Sequence, residues 1–401
     1  MHEKVSGLVN ICHNPKVFNP RAASLSFVKR PARDPFVDGN ELRLLRDGAQ
    51  AFPEMLRAIG AAKTQIWIEM YWFASDTIGQ RFFADLVQAA RRGVDVRLLY
   101  DSFGSFATDT SFFAALVAAG AHVLEYNPVS PLQRRFGIQS LAKRNHGKLL
   151  IVDDTAFVGG LNIADAWLPS EQGGENWRDD VVCVKGPVVA QLERSFARSW
   201  CEAGGGPMEV SQGEHPKVGN AKASVLGQSQ FGHRRYALQA YRVRLRKAQE
   251  QVLIANAYFV PNRKIIRGLV GAAKRGVDVR VMLPQRSDVE IVRLAGQAAW
   301  SRLLRVGVRI YQWQPTILHT KTAVIDSEWV TIGSYNLDYL SMFTNVELNL
   351  SILDRDFART VGDAYFEDLK QCQEVLWSQF RNRPMLTRVV ERILYAFRSW
   401  L

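Results

Sequence analysis

The sequence predicts an α/β fold made of two tandem units, each with a largely parallel mixed sheet flanked by helices. The first observation is an internal duplication: residues 65–73 read QIWIEMYWF and residues 251–259 read QVLIANAYF, while residues 89–99 read AARRGVDVRLL and residues 272–282 read AAKRGVDVRVM. Self-similarity of this kind indicates two copies of one structural unit. The second observation is that apolar runs alternate with stretches of helical spacing, which is typical of α/β proteins.

Both copies contain the same series of elements, beginning and ending with a strand. In the first copy the pattern predicts strand 66–73, helix 82–90, strand 94–100, helix 112–119 and strand 123–126. In the second copy it predicts strand 252–260, helix 265–273, strand 277–283, helix 291–306 and strand 308–311. Gly93 and Gly276 follow the first helix of each copy, where a left-handed C-cap residue belongs.

The stretch between the copies, AGGGPMEVSQGEHPKVGN, is rich in Gly, Pro and polar residues and is predicted to be a linker. We expect the two units to pack face to face about a pseudo-twofold axis, so that each supplies half of one site. The predicted segments are a basic N-terminal arm at 1–35, a first domain at 36–202, the linker at 203–220, a second domain at 221–383 and an amphipathic C-terminal helix at 384–401.

The composition narrows the class of partner. The 401 residues carry a formal net charge of +12, a surplus that indicates a polyanion such as nucleic acid, an anionic lipid or a phosphorylated substrate. The N-terminus lacks a basic region leading into an apolar run, so we expect no signal peptide. No uncharged apolar run reaches about 18 residues, so the chain is not expected to span a bilayer. The four cysteines are widely spaced, which fits a reducing compartment and indicates neither a zinc site nor a disulfide framework.

Each copy also contains a histidine–lysine motif at the start of an apolar run. Because residues i and i+2 of a strand share a face, each histidine and its lysine are predicted to point the same way. The aspartate lies seven positions beyond the histidine, roughly 23 Å along a strand, and is predicted to have a structural role rather than to contact its own histidine. The motif residues are His146, Lys148 and Asp153 in the first copy and His319, Lys321 and Asp326 in the second.

The residue types in this pattern suit phosphodiester chemistry. Two imidazoles supply a nucleophile and a general acid/base near neutral pH. The two lysines, with Asn162 and Asn336, supply donors for phosphoryl oxygens, and Ser334 adds a hydroxyl in the second copy. Gly159 and Gly333 allow backbone N–H groups to approach an anion. No carboxylates lie nearby in metal-ligand spacing, so the pattern predicts cleavage without a metal or cofactor.

The duplicated H-x-K-x4-D motif followed by G-[GS]-x-N resembles the signature of the phospholipase D superfamily. The likeness extends from about residue 36 to about residue 358 and is most similar to bacterial cardiolipin synthases of the form without N-terminal membrane spans. It also includes Gly39-Asn40, Asp47-Gly48, Glu69 to Tyr71, Trp177 to Asp179, Gly186-Pro187, Tyr258 to Pro261 and Asn345 to Glu347.

The resemblance implies a mechanism and a role for each histidine. It implies that His146 attacks phosphorus to form a phosphohistidine, and that His319 protonates the leaving alcohol and then deprotonates the incoming one. A downstream carboxylate orients each histidine in this family. Asp179, in the same copy as His146, and Glu347, in the same copy as His319, match those positions.

Three activities fit these residues. The resemblance favours transfer of a phosphatidyl group between two phosphatidylglycerol molecules, which gives cardiolipin and glycerol. The alternatives are phospholipase D hydrolysis to phosphatidic acid and, less favoured, a phosphodiesterase or nuclease activity. The resemblance implies an anionic phospholipid and a membrane surface as partners, no nucleic acid, and a peripheral position on the cytoplasmic face of the bacterial inner membrane. The oligomeric state stays open.

Two segments are candidates for membrane contact. Residues 386–401 place apolar side chains at helical spacing between arginines, which fits either an interfacial helix or a helix packed on the core of the protein. The segment before His146 is longer than its counterpart before His319, and it is either a lipid head-group site or a plain solvated loop. Its basic residues are Arg134, Arg135, Lys143 and Arg144.

Overall fold

The computed structural model describes residues 35–129, 143–210, 215–227 and 236–399. The first half contains strands β1 (Val37–Arg46), β2 (Gln65–Met70), β3 (Asp95–Asp101), β4 (His122–Tyr126), β5 (Lys148–Val152), β6 (Thr155–Gly159) and β7 (Asp180–Lys185). Its helices are α1 (Asp47–Ala61), α2 (Thr77–Arg91), α3 (Thr110–Ala118) and α4 (Val189–Glu202).

The second half repeats this plan and extends it at its C-terminus. Its strands are β8 (Ala221–Gly227), β9 (Gln251–Asn256), β10 (Asp278–Pro284), β11 (Arg309–Trp313), β12 (Lys321–Ile325), β13 (Trp329–Gly333), β14 (Leu348–Leu353) and β15 (Cys372–Glu374). Its helices are α5 (Tyr236–Lys247), α6 (Arg263–Lys274), α7 (Glu290–Leu304), α8 (Tyr339–Phe343), α9 (Arg355–Leu369), α10 (Trp377–Phe380) and α11 (Met385–Ala396).

The strands form one sheet. In both halves the strands follow the same order when they are read from the outer edge of the sheet to its centre. The first half runs β4-β3-β2-β5-β6-β7-β1 and the second runs β11-β10-β9-β12-β13-β14-β8, with β15 added beside β11. Strands β1 and β8 pair antiparallel at the centre. This order confirms two α/β units related by a pseudo-twofold axis.

The sheet is mixed, as predicted, but parallel pairing is confined to β2-β3-β4 and β9-β10-β11. The remaining neighbours pair antiparallel, so the expectation of a largely parallel sheet is wrong. The reason lies in the motif strands, because β5 and β6 are separated only by Asp153 and Asp154, and so short a connection joins antiparallel strands. Strands β12 and β13 form the matching hairpin.

Local signals fix the ends of the predicted helices. The Asp76 side chain accepts a hydrogen bond from the Gly79 N–H at the start of α2, and Asn262 caps α6 in the same way. Gly93 and Gly276 have φ values of 87° and 88°, the left-handed conformation predicted after each helix. Each helix then returns the chain to a strand parallel to the one before it.

The two halves share a hydrophobic core. One cluster combines Val182 and Val184 of β7 with Val225 of β8 and Leu350 of β14, all of them buried. Helix α4, which carries the buried Phe196, lies over the same cluster. Because strands of both halves bury side chains together, the position of one motif relative to the other is fixed by packing.

The remaining sequence-based expectations have mixed outcomes. Apart from Pro35, the predicted arm lies outside the described residues. Helix α4 ends at Glu202 and β8 begins at Ala221, and the described residues between them form no helix or strand. Among the described helices, none combines the length and apolarity needed to cross a bilayer. Cys183 and Cys372, both among the described residues, are free.

Candidate active site

Backbone bridges between the halves bring the two motifs together. The residue before the first histidine, Asn145, pairs with Val346 of the second half, and Leu318 pairs with Arg178 of the first half. The His146 N–H donates to the Val346 carbonyl at 2.8 Å, and the His319 N–H donates to the Arg178 carbonyl at the same distance. Each histidine is therefore attached to the segment that precedes the carboxylate of the other half.

These bridges determine which carboxylate meets which imidazole. The Nδ1 atom of His146 lies 3.0 Å from Oε2 of Glu347, and Nδ1 of His319 lies 2.7 Å from Oδ2 of Asp179. All four side chains are buried. The sequence-based pairing of each histidine with the carboxylate of its own half is therefore wrong, and the partners are exchanged between the halves.

Different donors surround the two carboxylates. Glu347 accepts hydrogen bonds from the Ser334 hydroxyl at 2.5 Å and the Ser341 hydroxyl at 2.6 Å. Asp179 accepts one from the indole N–H of Trp167 at 3.2 Å. Gly160 stands where the second half has Ser334, and a Cβ atom there would lie 2.2 Å from Oδ1 of Asp179. Because that space is filled, the first half cannot use a serine at this position without moving the carboxylate.

The ammonium group of each motif lysine lies next to the backbone of its own histidine. The ammonium group of Lys148 donates to the His146 carbonyl at 2.8 Å, and that of Lys321 donates to the His319 carbonyl and lies 2.9 Å from His319 Nδ1. The Lys148 ammonium also lies 5.1 Å from the centre of the Tyr71 ring. As predicted for residues at i and i+2, each lysine points to the same side as its histidine.

Burial alters the protonation of these groups. Desolvation lowers the pKa of Lys148 to about 7 and that of Lys321 to about 8. It also lowers the pKa of both imidazoles, that of His319 well below its usual value. The site therefore contains cations that are close to losing their protons at neutral pH.

The pKa values of the two carboxylates that hold the histidines, Asp179 and Glu347, are shifted in opposite directions. Desolvation raises the pKa of Asp179 to about 7, in spite of the attraction of Lys321. Burial acts on Glu347 in the same sense, but His146, Lys148 and the Ser334 hydroxyl outweigh it and leave its pKa below the usual value. Near pH 7 Glu347 is therefore ionised, whereas Asp179, beside His319, is still partly protonated.

A cavity of about 670 Å³ opens over both histidines between the halves. Asn162 and Asn336, which are predicted to donate to phosphoryl oxygens, both line it. The Asn162 side-chain oxygen accepts the Trp72 N–H at 3.2 Å, whereas the Asn336 side-chain oxygen is buried without a hydrogen-bond partner. The cavity wall also includes Tyr71, Trp72, Phe103, Arg144, Trp167, Trp177, Tyr258, Asp288, Val289, Val292, Asp338, Leu340, Ser341, Thr344, Asn345 and Ser399.

Several predicted site residues lie outside this cavity wall. Asp153 accepts the N–H groups of residues 63–65, and Asp326 those of residues 249–251, so both motif aspartates fix strand ends and do not join the site. A Cβ atom on Gly159 would lie 2.3 Å from the Asp180 carbonyl, and one on Gly333 would lie 2.2 Å from that of Leu348. Close approach of neighbouring strands therefore accounts for both glycines.

Sequence reasoning missed the groups that hold the carboxylates. Trp167 lies five positions after Asn162, and Ser341 lies five positions after Asn336, so both halves place a donor at the same offset. The chemical difference between indole and hydroxyl hid this correspondence. Tyr71 and Tyr258 were named only within wider matching segments, yet their rings lie 4.9 Å from His146 and 6.2 Å from His319, measured between ring centres.

The basic segment before His146 is described only in part, because Arg134 and Arg135 lie outside the described residues. Lys143 pairs with Glu202 at 3.1 Å, and Arg144 lies 3.5 Å from Asp101. Within the described ranges, no group of three or more His, Cys, Asp or Glu side chains is arranged to hold a metal ion.

Comparisons with known proteins agree with this architecture. Residues 55–200 and 241–370 match the family described as "Cardiolipin synthase, PLD-like domain". The chain is 30% identical to a cardiolipin synthase of Geobacillus sp. (strain WCH70), covering 92% of this chain and 74% of that protein. It is 33% identical to cardiolipin synthase B of Salmonella typhi, with 84% and 83% covered. The crystal structure of phosphatidylserine synthase from Haemophilus influenzae Rd KW20 shares the fold, with a TM-score of 0.68, 14% identity, and coverage of 92% of this chain and 97% of that one.

Proposed function

This chain belongs to the cardiolipin synthase family of phospholipase D-like proteins and is a phosphatidyltransferase of that superfamily; from this premise we propose that it converts two phosphatidylglycerol molecules into cardiolipin and glycerol through a phosphohistidine. The observation that carries the proposal is the meeting of His146 and His319 in one cavity, each held at Nδ1 by a buried carboxylate. Holding Nδ1 in this way leaves Nε2 of each ring for chemistry.

The unequal carboxylates support a division of roles. Ionised Glu347 stabilises the positive charge that develops on His146 when its Nε2 bonds to phosphorus. The proton retained by the Asp179–His319 pair is available to a leaving alcohol. We therefore assign the nucleophile to His146 and the general acid/base to His319.

The reaction has two steps. In the first, Nε2 of His146 attacks phosphorus, the bond from phosphorus to the glycerol oxygen breaks, and His319 gives its proton to that oxygen. In the second, a hydroxyl of another phosphatidylglycerol gives its proton to His319 while its oxygen attacks phosphorus and releases His146. One phosphodiester replaces another, so no nucleotide is consumed. Lys148, Lys321 and Asn336 stabilise charge on the phosphoryl oxygens.

The proposed partners follow from the substrate. An anionic phospholipid substrate requires contact with a membrane, and we assign the protein a peripheral position there. We further propose that the protein binds at the cytoplasmic face of the inner membrane.

The proposal is tested with purified full-length protein and phosphatidylglycerol vesicles in the presence of a chelator, with products identified by mass spectrometry. His146→Ala serves as the blank and Glu367→Gln, at an exposed carboxylate on α9, as the matched control. We expect cardiolipin and free glycerol in equal amounts, absent with His146→Ala and unchanged with Glu367→Gln. Phosphatidic acid as the sole product would instead establish a hydrolase, and nucleic acid cleavage without lipid turnover a nuclease.

A further inference from the structure

Most of the large apolar side chains exposed among the described residues lie in three segments, each of which has a residue in the wall of the active-site cavity. The large apolar side chains exposed elsewhere in the described residues are Val117, Val218 and Leu376. The others form what we call the apolar collar: Phe103 and Phe106 after β3, Val289 and Ile291 after β10, and Met385, Leu386, Val389, Val390, Ile393 and Phe397 of α11 and its end. Concentrations of this kind mark interaction surfaces.

The collar surrounds the cavity on more than one side. Phe103 from the first half and Val289 from the second half both line the cavity wall, and they follow corresponding strands, β3 and β10. The chain that follows α11 reaches the same wall at Ser399. Apolar side chains from both halves, together with the end of the chain after α11, therefore meet at one opening.

Helix α11 is turned opposite to the usual orientation of a surface helix. Its inward side carries Glu391, which is 2% exposed and is held by both terminal nitrogens of Arg383 at 2.5 and 2.9 Å. Beside it, Tyr395 donates its hydroxyl to the Pro261 carbonyl at 2.8 Å. The outward side carries Ile393 and Phe397, which are 52% and 60% exposed. A surface helix normally buries its apolar side, so this orientation leaves the apolar side for a partner.

The orientation is fixed by packing. Leu394 and Tyr395 contact Val292 and Ala295 of α7, and Val292 itself lines the cavity. Rotating α11 to hide its apolar side would expose Glu391 and break its ion pair with Arg383. Helix α11 is therefore held with its apolar side outward, next to the part of α7 that lines the cavity.

We propose that the apolar collar docks this protein on an anionic phospholipid bilayer, with α11 lying in the interface and the cavity opening toward the lipid. Apolar side chains beside exposed arginines match the layered chemistry of such a surface, where acyl chains lie below phosphates. The cavity would then receive a head group while the acyl chains stay in the bilayer. The inference rests on the proposed function for the identity of the lipid, but the binding itself is measured without turnover.

The test is flotation of the full-length protein with vesicles of phosphatidylglycerol and phosphatidylcholine. We expect Ile393→Asp combined with Phe397→Asp to lower the bound fraction about tenfold or more, and Phe106→Ser to lower it by a smaller factor. The matched control is Val117→Asp, because Val117 is 53% exposed, lies near the end of α3 and does not line the cavity. Thermal unfolding of each variant checks that it is folded.

A second readout separates docking from catalysis. With phosphatidylglycerol dispersed in detergent micelles, the collar variants are expected to keep activity within about twofold of the unaltered protein, since their side chains lie outside the reacting groups. Vesicle binding unchanged in the double variant would overturn the proposal. It would also be overturned if that variant lost self-association, measured by sedimentation, but kept vesicle binding, because the collar would then join two copies of the chain. Failure of the unaltered protein to make cardiolipin in micelles would instead count against the proposed function alone.

Discussion

The Nδ1 atom of His146 lies 3.0 Å from Oε2 of Glu347, although 201 positions separate the two residues in the chain. The matching pair, His319 and Asp179, crosses between the halves in the opposite direction. Neither half holds a histidine together with the carboxylate that orients it. The duplicated fold therefore makes one composite site and not two sites side by side.

The first prediction tests this exchange. Glu347→Gln keeps a hydrogen-bond acceptor beside His146 but removes the charge that stabilises the imidazolium, so we expect turnover to fall by about 10³–10⁴. In single-turnover experiments with isotopically labelled phosphatidylglycerol, formation of the covalent enzyme should slow by the same factor. If Glu347→Gln slowed only the breakdown of that intermediate, the assignment of Glu347 to the nucleophile would be wrong.

The second prediction concerns Ser341, which donates its hydroxyl to Oε1 of Glu347 at 2.6 Å. Ser341→Ala removes one donor to a buried carboxylate, so we expect the pKa of Glu347 to rise and kcat to fall about tenfold. The acid limb of the pH–rate profile should move to higher pH, a change that a loss of packing alone would not produce. Ser341→Thr, which restores the hydroxyl, should return the limb toward its original position.

Much of this site could be predicted from the sequence, because the same motif occurs twice in matching sequence surroundings. The histidines and lysines were predicted from strand spacing, and the structural role of Asp153 from its distance along the strand. The two-residue hairpin at Asp153 and Asp154 carried a local signal for antiparallel pairing, which the alternation of strands and helices obscured.

A local sequence pattern could not predict that each histidine is held by the carboxylate of the other half. It depends on bridges such as that between Asn145 and Val346, which only the packed halves create. A carboxylate downstream of a histidine gives no sign of which half it will face. The inverted orientation of α11 was hidden for a similar reason, because it depends on the pairing of Glu391 with Arg383.

The third prediction is the pH dependence of kcat/KM. Burial lowers the pKa of Lys148 to about 7 and that of Lys321 to about 8, so their positive charges are lost as pH rises through this range. Burial raises the pKa of Asp179 to about 7, so the proton of the Asp179–His319 pair is lost in the same direction. Because Glu347 has a lowered pKa and stays ionised, activity should persist at mildly acidic pH and decline between about pH 7 and 8.

Rates of cardiolipin formation measured between about pH 5 and 9 test this directly. Lys148→Arg carries a charge that is not lost in this range, so the part of the alkaline decline caused by Lys148 should disappear, although the larger guanidinium lowers the maximal rate. A profile that rises steadily from pH 6 to 9 would contradict the assignment of the retained proton to the Asp179–His319 pair.

The fourth prediction concerns Arg178, which joins the two halves beside the site. Its side chain is buried, with terminal nitrogens 2.7 Å from Asp180 Oδ1 in the same half and 2.7 Å from Asp368 Oδ2 on α9 of the other half. Arg178→Ala would remove the cation beside Asp180 and leave Asp368 paired with Arg46 alone, and removing one partner of a buried ion pair typically destabilises a protein by about 3–5 kcal/mol. Denaturant unfolding measures this loss, and Arg359→Ala, which removes an exposed pair with Asp356, is expected to cost less than about 0.5 kcal/mol.

Arg178 also acts through its neighbour in the chain. The backbone carbonyl of Arg178 accepts the His319 N–H, and Asp179 follows directly, so movement of this segment displaces the acid/base pair. We compare the variants at a temperature where Arg178→Ala remains folded. There we expect kcat to fall more than KM rises, because the wall of the active-site cavity is intact while His319 loses its alignment. Arg178→Lys, which keeps the charge but not the fork of donors, should recover stability more fully than turnover. Equal recovery of both would mean that Arg178 serves the fold alone.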